Sequence, residues 1–503
     1  MTGAELWSTL AVMGPLVAAL LSLGGGRRSI RLGLGLGSAT ALTSSLGLYL
    51  TVMDQGVVRH ALGGWGRPLG IELHLDGLAT LMVAMTAVVG SAVSLYAVSY
   101  FGDAADPRVR QSPAGRGARF FAPLWLFLWS SLNGVFLSGD LFNLYVMLEI
   151  LGLAAAAIVT LAVTGKATQA GMRYLLISLT GSMLFLLGVA LLYLGYGTLS
   201  LEELASMEPS GPLAAWALAA MTAGLAAKTA LFPLHAWLPP AHAGAPAPGS
   251  ALLSALVVKA SFYIIIRLWF YVYGLGVPGA ETERALLIMG LLGAGAILWG
   301  SILALRQVSL KRLIAYSTVA QLGYLFVMFP LLPELGAPEI WNANAWNGGM
   351  VHALSHALAK AAMFLAAGSM SYAVADDAID SISGVAHRLP MSFLAFGLGG
   401  LSLAGIPPSG GFAAKWLLLT AALESGQWVW AGLIAVGGLL TLAYVLMVAR
   451  FALQVKESPE EFRNVPRRME WAAMILAGLA VLLGLRAVEI LELLAIGGIG
   501  PWR

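Results

Sequence analysis

The sequence predicts an all-α polytopic membrane protein, and composition, hydropathy and the arrangement of apolar residues each support this prediction. Of the 503 residues, 59% are hydrophobic and only 11% are charged, whereas soluble domains carry roughly 25% charged residues. The mean hydropathy is +0.83. The apolar residues form long continuous runs, which are typical of membrane spans.

The charged residues and the absence of cysteine exclude several classes of function. The net charge of +3 is too small and too scattered to indicate a nucleic-acid partner. With 0 cysteines, the chain cannot build a disulfide, an iron–sulfur cluster or a thiolate metal site. Redox chemistry of that kind would have to reside on a partner, and we expect no cofactor and no metal in this chain.

Fourteen stretches are long enough to be transmembrane helices, which need about 20 apolar residues to cross ~30 Å of hydrocarbon. They lie near residues 5–24, 31–53, 76–98, 120–138, 141–163, 171–196, 212–232, 249–272, 284–305, 313–331, 346–373, 390–422, 428–450 and 470–488. The first basic residue, Arg27, follows the first apolar run. We therefore expect a retained first helix rather than a cleaved signal peptide.

The basic residues in the connections predict the orientation of the bundle, because short cytoplasmic loops accumulate Lys and Arg. One set of alternate connections contains eighteen basic residues, namely Arg27, Arg28, Arg31, Arg108, Arg110, Arg116, Arg119, Lys166, Arg173, Arg306, Lys311, Arg312, Arg388, Arg450, Lys456, Arg463, Arg467 and Arg468. The opposite set, with the termini, contains four, namely Arg59, Arg67, Arg284 and Arg503. We therefore expect both termini on the outer face.

Two stretches are predicted to be broken helices. Segment 390–422 has 33 residues and would span about 50 Å as one straight helix, well beyond the hydrocarbon thickness. We expect it to break at 405–411, where Pro407 and Pro408 lack amide donors. The second break begins at Pro233 and extends to residue 249. Paired breaks of this kind are typical of transport sites.

Seven ionisable residues lie at predicted membrane depth, where a charged side chain costs about 2.5–3.5 kcal/mol even on a lenient insertion scale. They are Glu149, Lys228, Lys259, Lys415, His352, His356 and Lys360. The last three follow one another at i, i+4 and i+8 and therefore share one helix face. Such groups need partners, water or a function, and we interpret them as candidate functional residues.

Structural interpretations compete with functional ones at several of these positions. Any buried Lys or Glu can be a structural ion pair, and the HxxxH pair His352 and His356 could ligate haem or a metal. His235 and His242, in the proline-rich break, either line a water entry or simply pack. Arg267 is expected to snorkel or pack.

Two aspartates have a local structural explanation. Asp76 and Asp140 each precede an apolar run, so we expect both to cap the helix that follows.

The mixture of lysine, histidine and one carboxylate suits a switchable proton relay. Burial favours neutral lysine and brings its pKa of ~10.4 toward the range of proton exchange. A carboxylate opposes this effect, because two unit charges ~6 Å apart at an effective dielectric constant of ~20 interact by roughly 3 kcal/mol. If Glu149 and Lys228 approach, the lysine keeps its proton, and if they separate, it can pass the proton on. Histidine suits intermediate steps, since its unperturbed pKa is ~6.5.

Six motifs surround these residues: GDLFNLYVMLE (139–149), AKTALFPLHAWLP (227–239), ALLSALVVKASFYIIIRL (251–268), LKRLIAYSTVAQLGY (310–324), HALSHALAKAAMFLAAG (352–368) and SLAGIPPSGGFAAK (402–415). With them the chain resembles the antiporter-like proton-pumping subunits shared by Mrp-type sodium/proton antiporters, respiratory complex I and membrane-bound hydrogenases. GDLFN and the stretch 62–82 are most similar to the D-type Mrp subunit. The stretch 241–255 is closer to complex I and hydrogenase relatives, and Ser309 stands where the family commonly has Asp.

The resemblance implies a role for each residue and a division of the chain. Glu149 corresponds to the fifth-helix glutamate, Lys228 and Lys415 to the lysines of broken helices seven and twelve, Lys259 to the eighth-helix lysine, and His356 to the eleventh-helix histidine. The implied fold has two inverted five-helix halves. We expect an N-terminal three-helix segment over 1–119, the halves over 120–275 and 276–455, and a cytoplasmic loop with a C-terminal helix over 456–503.

These observations predict a proton-translocating subunit of a multisubunit Na⁺/H⁺ antiporter in the bacterial cytoplasmic membrane, without catalytic chemistry of its own. In this interpretation Lys259 and His356 relay protons to Lys415, with His352, Lys360, His235 and His242 as possible further steps. The expected partners are the bilayer, protons, possible Na⁺, and further subunits resembling the A-, B-, C-, E-, F- and G-type components of Mrp complexes. Three alternatives remain: a pump module of a complex I-like or hydrogenase-like redox-driven complex, a haem or quinone redox protein of the membrane, and a passive scaffold.

Overall fold

The apolar runs fold into helices that account for nearly all described residues, which in this computed structural model are 3–24, 26–65, 70–102, 117–274, 280–332, 342–454 and 462–497. The predicted helical fold class is therefore confirmed. The principal helices are α1 Gly3–Ser22, α2 Arg27–Gln55, α3 Gly77–Tyr100, α4 Phe121–Leu137, α5 Leu141–Thr160, α6 Gly165–Tyr196, α7a Gly211–Thr229, α7b Leu238–Gly244, α8 Ala247–Val272, α9 Ala280–Leu305, α10 Leu310–Leu331, α11 Ala343–Val374, α12a Pro390–Ala404, α12b Gly410–Glu424, α13 Trp428–Leu453, α14 Arg467–Leu485 and α15 Ala487–Leu494.

Twelve helical units in the described part of the chain are long and apolar enough to cross a membrane. They are α1 to α3, α5, α6, the α7a–α7b unit, α8 to α11, α13 and α14. Helix α4 has 17 residues, and α12a and α12b have 15 each, so these are shorter. Every predicted segment coincides with a helix or a broken pair, but the count of fourteen full spans is not confirmed.

Both predicted breaks occur in the structure. Helix α7a ends where Ala230 adopts a left-handed φ of +59°, and a 3₁₀ turn over Leu234–Trp237 leads into α7b. Helix α12a ends at Gly405, whose φ is +90°. The Phe232–Pro233 and Pro407–Pro408 peptide bonds are cis. The expectation of irregular backbone as far as residue 249 is partly wrong, because α7b is helical and α8 already begins at Ala247.

Polar side chains begin several helices, as predicted for Asp76 and Asp140. Their carboxylates each accept the backbone N–H of the residue three positions later at 2.8 Å, and so begin α3 and α5. Thr164, Ser309 and Ser409 cap α6, α10 and α12b in the same way.

A carboxylate also lies at the start of α10, although the capping residue itself is serine. Asp377, from the segment after α11, accepts a hydrogen bond from the Ser309 hydroxyl and another from the Lys311 backbone N–H, the latter at 3.3 Å. A negative charge is favourable at a helix N-terminus. The acid that the family resemblance leads us to expect at position 309 is thus supplied by a different segment.

Helix α8 lies in the centre of the bundle and is not a regular α-helix. All of its residues are buried, and π-helical turns interrupt it at Leu253–Val257 and Arg267–Val272. Such turns are rare and occur frequently at functional sites. Helices α10 and α11 are also mostly buried, whereas α1, α2, α6 and α14 expose large apolar side chains. Exposed apolar faces of this extent fit a lipid environment.

One element was not predicted from the sequence. Strands β1 Val58–Ala61 and β2 Glu72–Leu75 pair antiparallel between α2 and α3, with Val58 opposite Leu75.

The predicted membrane orientation and domain division stay predictions, because some of the residues on which they rest lie outside the described residues. This holds for Arg67, Arg108, Arg110, Arg116, Lys456 and Arg503, for both chain ends, and for the domain boundaries at 275 and 455.

Candidate functional site

Lys228 lies in the last turn of α7a, and the helix break directs its buried side chain toward α5 and α6. Its Nζ donates to Ser178 Oγ at 2.9 Å and to the carbonyl oxygen of Leu148 at 3.5 Å. Glu149 Oε1 is 3.8 Å from the same nitrogen. The predicted Glu149–Lys228 pair is therefore present as a close contact between charged atoms.

Small residues make room for this pair. A Cβ at Gly152 would lie 2.6 Å from Ser178 Oγ and 3.7 Å from Lys228 Nζ. A Cβ at Gly181 would lie 3.1 Å from Lys228 Cγ and 2.7 Å from the carbonyl oxygen of Gly224. Helices α5, α6 and α7a thus approach closely around the ammonium because these positions lack side chains.

Glu149 is less constrained than its partner. The Glu149 side chain is 20% exposed and the Lys228 side chain 6%. Glu149 Oε1 has no hydrogen-bond donor among the described residues, since 3.8 Å is too long for a hydrogen bond. The carboxylate can accept a proton or a water at this oxygen without breaking an existing hydrogen bond.

Lys259 is fully buried at the centre of α8 and contacts α11 directly. Its Nζ lies 2.5 Å from His356 Nδ1 and donates to the carbonyl oxygen of Ser254 at 2.8 Å. Ser254 belongs to the first π-helical turn, and its hydroxyl lies 2.8 Å from the Thr318 hydroxyl on α10. The structure thus brings together two residues that the sequence analysis assigned to one relay.

The three basic residues of α11 share a buried face, as their spacing predicts. The rings of His352 and His356 stack with centroids 5.9 Å apart and an angle of 10° between their planes. His352 Nε2 lies 3.0 Å from the carbonyl oxygen of Gln321. Lys360 Nζ donates to the carbonyl oxygen of Ile314 at 3.1 Å and to the Ser317 hydroxyl.

Lys415, on α12b, is held by the other half of its broken helix. Its Nζ donates to the carbonyl oxygen of Leu403 at 2.6 Å, near the C-terminal end of α12a. The last carbonyls of a helix carry partial negative charge and stabilise a cation there. The same ammonium lies 4.2 Å from the centroid of the Tyr324 ring, a cation–π contact.

Two contacts lie between these separate groups. The Thr229 hydroxyl, next to Lys228, lies 2.9 Å from the Ser261 hydroxyl on α8, two residues after Lys259. On the other side, the Tyr324 ring lies 5.3 Å from the His352 ring and also contacts the Lys415 ammonium. Glu149 and Lys228 do not touch Lys259 directly, nor does His352 touch Lys415.

Several buried nitrogens at the site have no hydrogen-bond partner among the described residues. They are His352 Nδ1, His356 Nε2, and both ring nitrogens of His242. Buried polar atoms are nearly always satisfied, and water is the usual partner where protein supplies none. These atoms therefore mark positions where water can connect one titratable group to the next.

The two histidines of the break have different surroundings. The His242 ring is fully buried and stacks on Phe364 with centroids 4.7 Å apart. It lies close enough to Lys259, Lys311 and Lys360 for their charges to act on it. The His235 ring stacks on Phe232, with centroids 5.6 Å apart. Of the two, His242 has the position of a possible relay step.

Carboxylates are unevenly distributed around the site. Among the described residues, Glu149 is the acid paired with Lys228, and no carboxylate lies within 4 Å of Lys259, Lys360 or Lys415. The described part of the chain also contains no group of three or more His, Cys, Asp or Glu side chains arranged to hold a metal ion.

A second buried ion pair was not predicted from the sequence. Arg267 is buried and donates to both carboxylate oxygens of Asp76, at 2.5 and 2.7 Å. Of the two expectations for Arg267, snorkelling and packing, snorkelling is wrong, because its cation is paired inside the bundle, where it also packs against the Tyr263 ring. His74, on β2, lies 3.3 Å from the same carboxylate, and Arg267 Nε donates to the Tyr263 hydroxyl. Ser178 and Tyr324 were also missed, since lone hydroxyl-bearing residues in apolar helices give no distinct signal.

Comparisons with known proteins show which family the chain is similar to. Residues 138–441 match the family model described as "NADH:quinone oxidoreductase/Mrp antiporter, TM". The chain is 35% identical over 462 residues to the N-type subunit of NADH-quinone oxidoreductase from Desulforudis audaxviator, covering 88% of each chain. It is 29% identical over 457 residues to the D-type subunit of the Na⁺/H⁺ antiporter from Alkalihalophilus pseudofirmus, covering 90% of this chain and 87% of the relative.

Two solved structures are similar over almost the whole length. A chain of the Mrp complex from a Dietzia species superimposes with a TM-score of 0.84 and 26% identity, covering 98% of this chain and 96% of that one. A chain of the membrane-bound sulfane sulfur reductase, an archaeal respiratory membrane complex, also gives a TM-score of 0.84 at 26% identity, covering 98% and 97%.

Proposed function

Because the chain belongs to the NADH:quinone oxidoreductase/Mrp antiporter transmembrane family, we propose that it is the proton-translocating membrane subunit of a multisubunit Na⁺/H⁺ antiporter. The observation that carries this proposal is the Glu149–Lys228 contact, in which a buried ammonium faces a carboxylate at 3.8 Å without a hydrogen bond. A pair that is close but not locked can exchange a proton when the two groups separate. Relatives named as D-type subunits of Na⁺/H⁺ antiporters support the antiporter assignment.

The proposed proton path follows the contacts between groups. When Glu149 moves away from Lys228, the ammonium loses its stabilising charge and releases a proton toward the Thr229–Ser261 hydroxyl bridge. Water beside this bridge carries the proton to Lys259, and Lys259 passes it to His356 Nδ1 across their 2.5 Å contact. Return of Glu149 then favours reprotonation of Lys228.

The second half of the proposed path runs along α11 and ends at the α12 break. Protonated His356 transfers through water to the neighbouring His352 ring. Lys415, held by the Leu403 carbonyl and the Tyr324 ring, accepts the proton next and releases it at the outer face. Lys360 and His242 are proposed as an input branch, and His235 as a packing residue of the break.

The proposal includes a location and partners. Bacterial relatives named as antiporter subunits support the bacterial cytoplasmic membrane as the location, and the basic residues favour both termini outside. The proposed partners are other subunits of Mrp type, protons and Na⁺. We further propose the domain division at 119, 275 and 455, with two inverted five-helix halves, and no cofactor in this chain.

A specific observation favours a second candidate, a proton-pumping module driven by electron transfer. The relative with 35% identity is named as a subunit of NADH-quinone oxidoreductase, and one similar structure is a respiratory complex. The relay would be the same and only the driving reaction would differ. Co-purification with iron–sulfur or hydrogenase-like subunits, rather than small Mrp-type subunits, would establish this alternative.

The test of the relay is Lys228→Ala, measured as Na⁺-dependent proton movement in everted membrane vesicles. We expect antiport to be abolished while the chain still assembles with its partners, since the variant removes the proton carrier and leaves Glu149, whose side chain is 20% exposed, in contact with water. Arg284→Ala is a matched control, because Arg284 is an exposed cation on α9. Full antiport by the Lys228→Ala complex would refute the proposed relay.

A further inference from the structure

A large basic cavity lies where the ends of α3 and α5 meet the starts of α6 and α10. Its volume is about 900 Å³. Five cationic side chains line it, namely Lys166, Arg173, Lys311, Arg312 and Arg463. They come from α6, α10 and the segment before α14, so the fold gathers charges that are far apart in the sequence.

No carboxylate among the described residues neutralises the charges of this cavity. None of the five cations has a carboxylate within 4 Å among the described residues, and none of the lining residues is acidic. Two like charges ~10 Å apart repel by roughly 1.7 kcal/mol at an effective dielectric constant of ~20. Asp377 lies behind Lys311, but its carboxylate already accepts bonds from Ser309 and from the Lys311 backbone.

Most of these cations are available to a ligand. Lys166, Arg173, Arg312 and Arg463 are exposed, whereas Lys311 Nζ donates to the carbonyl oxygen of Ala245 at 3.2 Å. The capped N-termini of α6 and α10 lie beside them and add partial positive charge. Arginine forks bind phosphate oxygens in a bidentate manner, and lysine adds a point charge.

The remainder of the wall is apolar. Phe101, Leu161, Pro240 and Pro246 line the same cavity as the cations. A small free anion would contact only the charged part of this wall. A lipid would place its phosphate against the cations and its glycerol and upper acyl chains against the apolar side chains.

All five cations belong to the set of basic residues that predicts the cytoplasmic face. In the predicted topology, the cavity lies at the depth of the lipid headgroups of the inner leaflet, where basic pockets between transmembrane helices bind anionic lipids. We propose that this cavity binds the phosphodiester headgroup of an anionic phospholipid of the cytoplasmic leaflet. Because Ala245 and Pro246 form part of the wall, the bound lipid braces the connection between α7b and α8.

The experiment uses the full complex, purified in detergent, with phosphatidylglycerol, phosphatidylcholine or inorganic phosphate as the added probe. Native mass spectrometry counts the bound phospholipids, and the midpoint of thermal unfolding measures stabilisation. For the wild type we expect phosphatidylglycerol, but neither of the other probes, to bind and to raise the midpoint. The Arg173→Gln/Arg312→Gln variant is expected to lose the most tightly bound phosphatidylglycerol and this stabilisation.

Two further variants keep the proposal falsifiable. Arg306→Gln removes an exposed cation near the start of α10 that does not line the cavity, and we expect it to retain the lipid. Arg173→Lys/Arg312→Lys keeps the charge and should recover part of the binding if the double Gln variant folds poorly. An unchanged lipid count in the double Gln variant, or equal stabilisation by inorganic phosphate, would overturn the proposal. Lipid counting does not depend on proton transfer, so its outcome is separate from the antiport test.

Discussion

Asp76–Arg267 and Glu149–Lys228 both place a carboxylate beside a cation inside the bundle, but their atoms meet in different ways. Arg267 donates two bonds to Asp76, at 2.5 and 2.7 Å. Glu149 Oε1 and Lys228 Nζ are 3.8 Å apart and share no hydrogen bond. The first pair is almost completely buried, whereas the Glu149 side chain retains 20% of its exposure.

The partners of each pair explain this difference. Asp76 also accepts the Ala79 amide, and Arg267 Nε donates to the Tyr263 hydroxyl, so separating them would break several hydrogen bonds at once. Lys228, in contrast, already bonds to Ser178 and keeps that partner if Glu149 moves. We call the Asp76–Arg267 pair the clamp, because its two charges are buried and each would lose its counter-charge if the pair separated. We call the Glu149–Lys228 pair the switch, because Lys228 has an alternative partner and the two side chains can separate.

The largest expected effect on stability follows from breaking the clamp. Arg267→Gln leaves the Asp76 carboxylate buried without its counter-charge, which should lower the free energy of unfolding by about 3–5 kcal/mol. Transport should fall only in proportion to the amount of folded protein in the membrane. Thermal unfolding of the purified complex measures the first quantity, and vesicle assays normalised to protein content measure the second.

A double variant separates lost charge pairing from lost packing. Asp76→Asn/Arg267→Gln removes both charges and should recover a substantial part of the stability, because replacing a whole buried pair costs less than removing one partner. If Arg267→Gln alone were as stable as the wild type, the pair would not be a structural clamp.

Breaking the switch should reduce transport strongly and stability only slightly, the opposite of breaking the clamp. Glu149→Gln removes the charge that controls Lys228, so we expect the transport rate to fall at least about tenfold, which corresponds to ~1.4 kcal/mol in the barrier. The stability should change less than in Arg267→Gln, because Glu149 is 20% exposed, shares no hydrogen bond with Lys228, and leaves Lys228 bonded to Ser178. Glu283→Gln is the matched control, because Glu283 is an exposed acid on α9. A Glu149→Gln complex that transports normally but unfolds easily would make this pair a second clamp.

The residues of the Glu149–Lys228 pair could be identified from the sequence, whereas the Asp76–Arg267 pair could not, and the reason is physical. A lone charge in an apolar run identifies Glu149, Lys228, Lys259 and Lys415 locally, and proline and glycine clusters locate the helix breaks. An ion pair between residues 191 positions apart leaves no such local signal. Asp76 was explained correctly as a helix cap, and its second role appears only once α8 packs beside it.

The surroundings of Lys415 could not be predicted from the sequence either. The positions of His352, His356 and Lys360 on one face follow from helical periodicity. Lys415 is stabilised by the Leu403 carbonyl and the Tyr324 ring. These contacts depend on how α12a, α12b and α10 pack together. Lys228 is thus stabilised by a carboxylate and Lys415 by the carbonyl end of a helix. This difference could not be predicted from the sequence.

A smaller effect tests whether the alternative partner of Lys228 matters. Ser178→Ala removes the hydroxyl that accepts from the ammonium at 2.9 Å, and we expect a loss of about 1 kcal/mol in stability together with slower transport. Ser182→Ala is the control, because Ser182 lies one turn later on α6, is also buried, and its hydroxyl has no partner among the described residues. Equal behaviour of the two variants in unfolding and transport assays would show that Ser178 does not hold the released lysine.

The smallest expected effect concerns a group outside the membrane and has a definite dependence on pH. His60, on β1, contacts the Ser8 hydroxyl of α1 at 2.9 Å. Burial lowers the pKa of His60 below its usual value of 6.5, although Glu5 and Glu72 raise it in part. The folded state therefore binds this proton less readily than the unfolded state, so the stability it contributes is present above pH 6.5 and is lost as the pH falls below that value. Hydrogen exchange of the Val58–Ala61 amides, corrected for intrinsic rates, should accelerate modestly below pH 6.5 in the wild type. The His60→Gln variant should not show this acceleration. An equal acceleration in both proteins would assign the effect to another group.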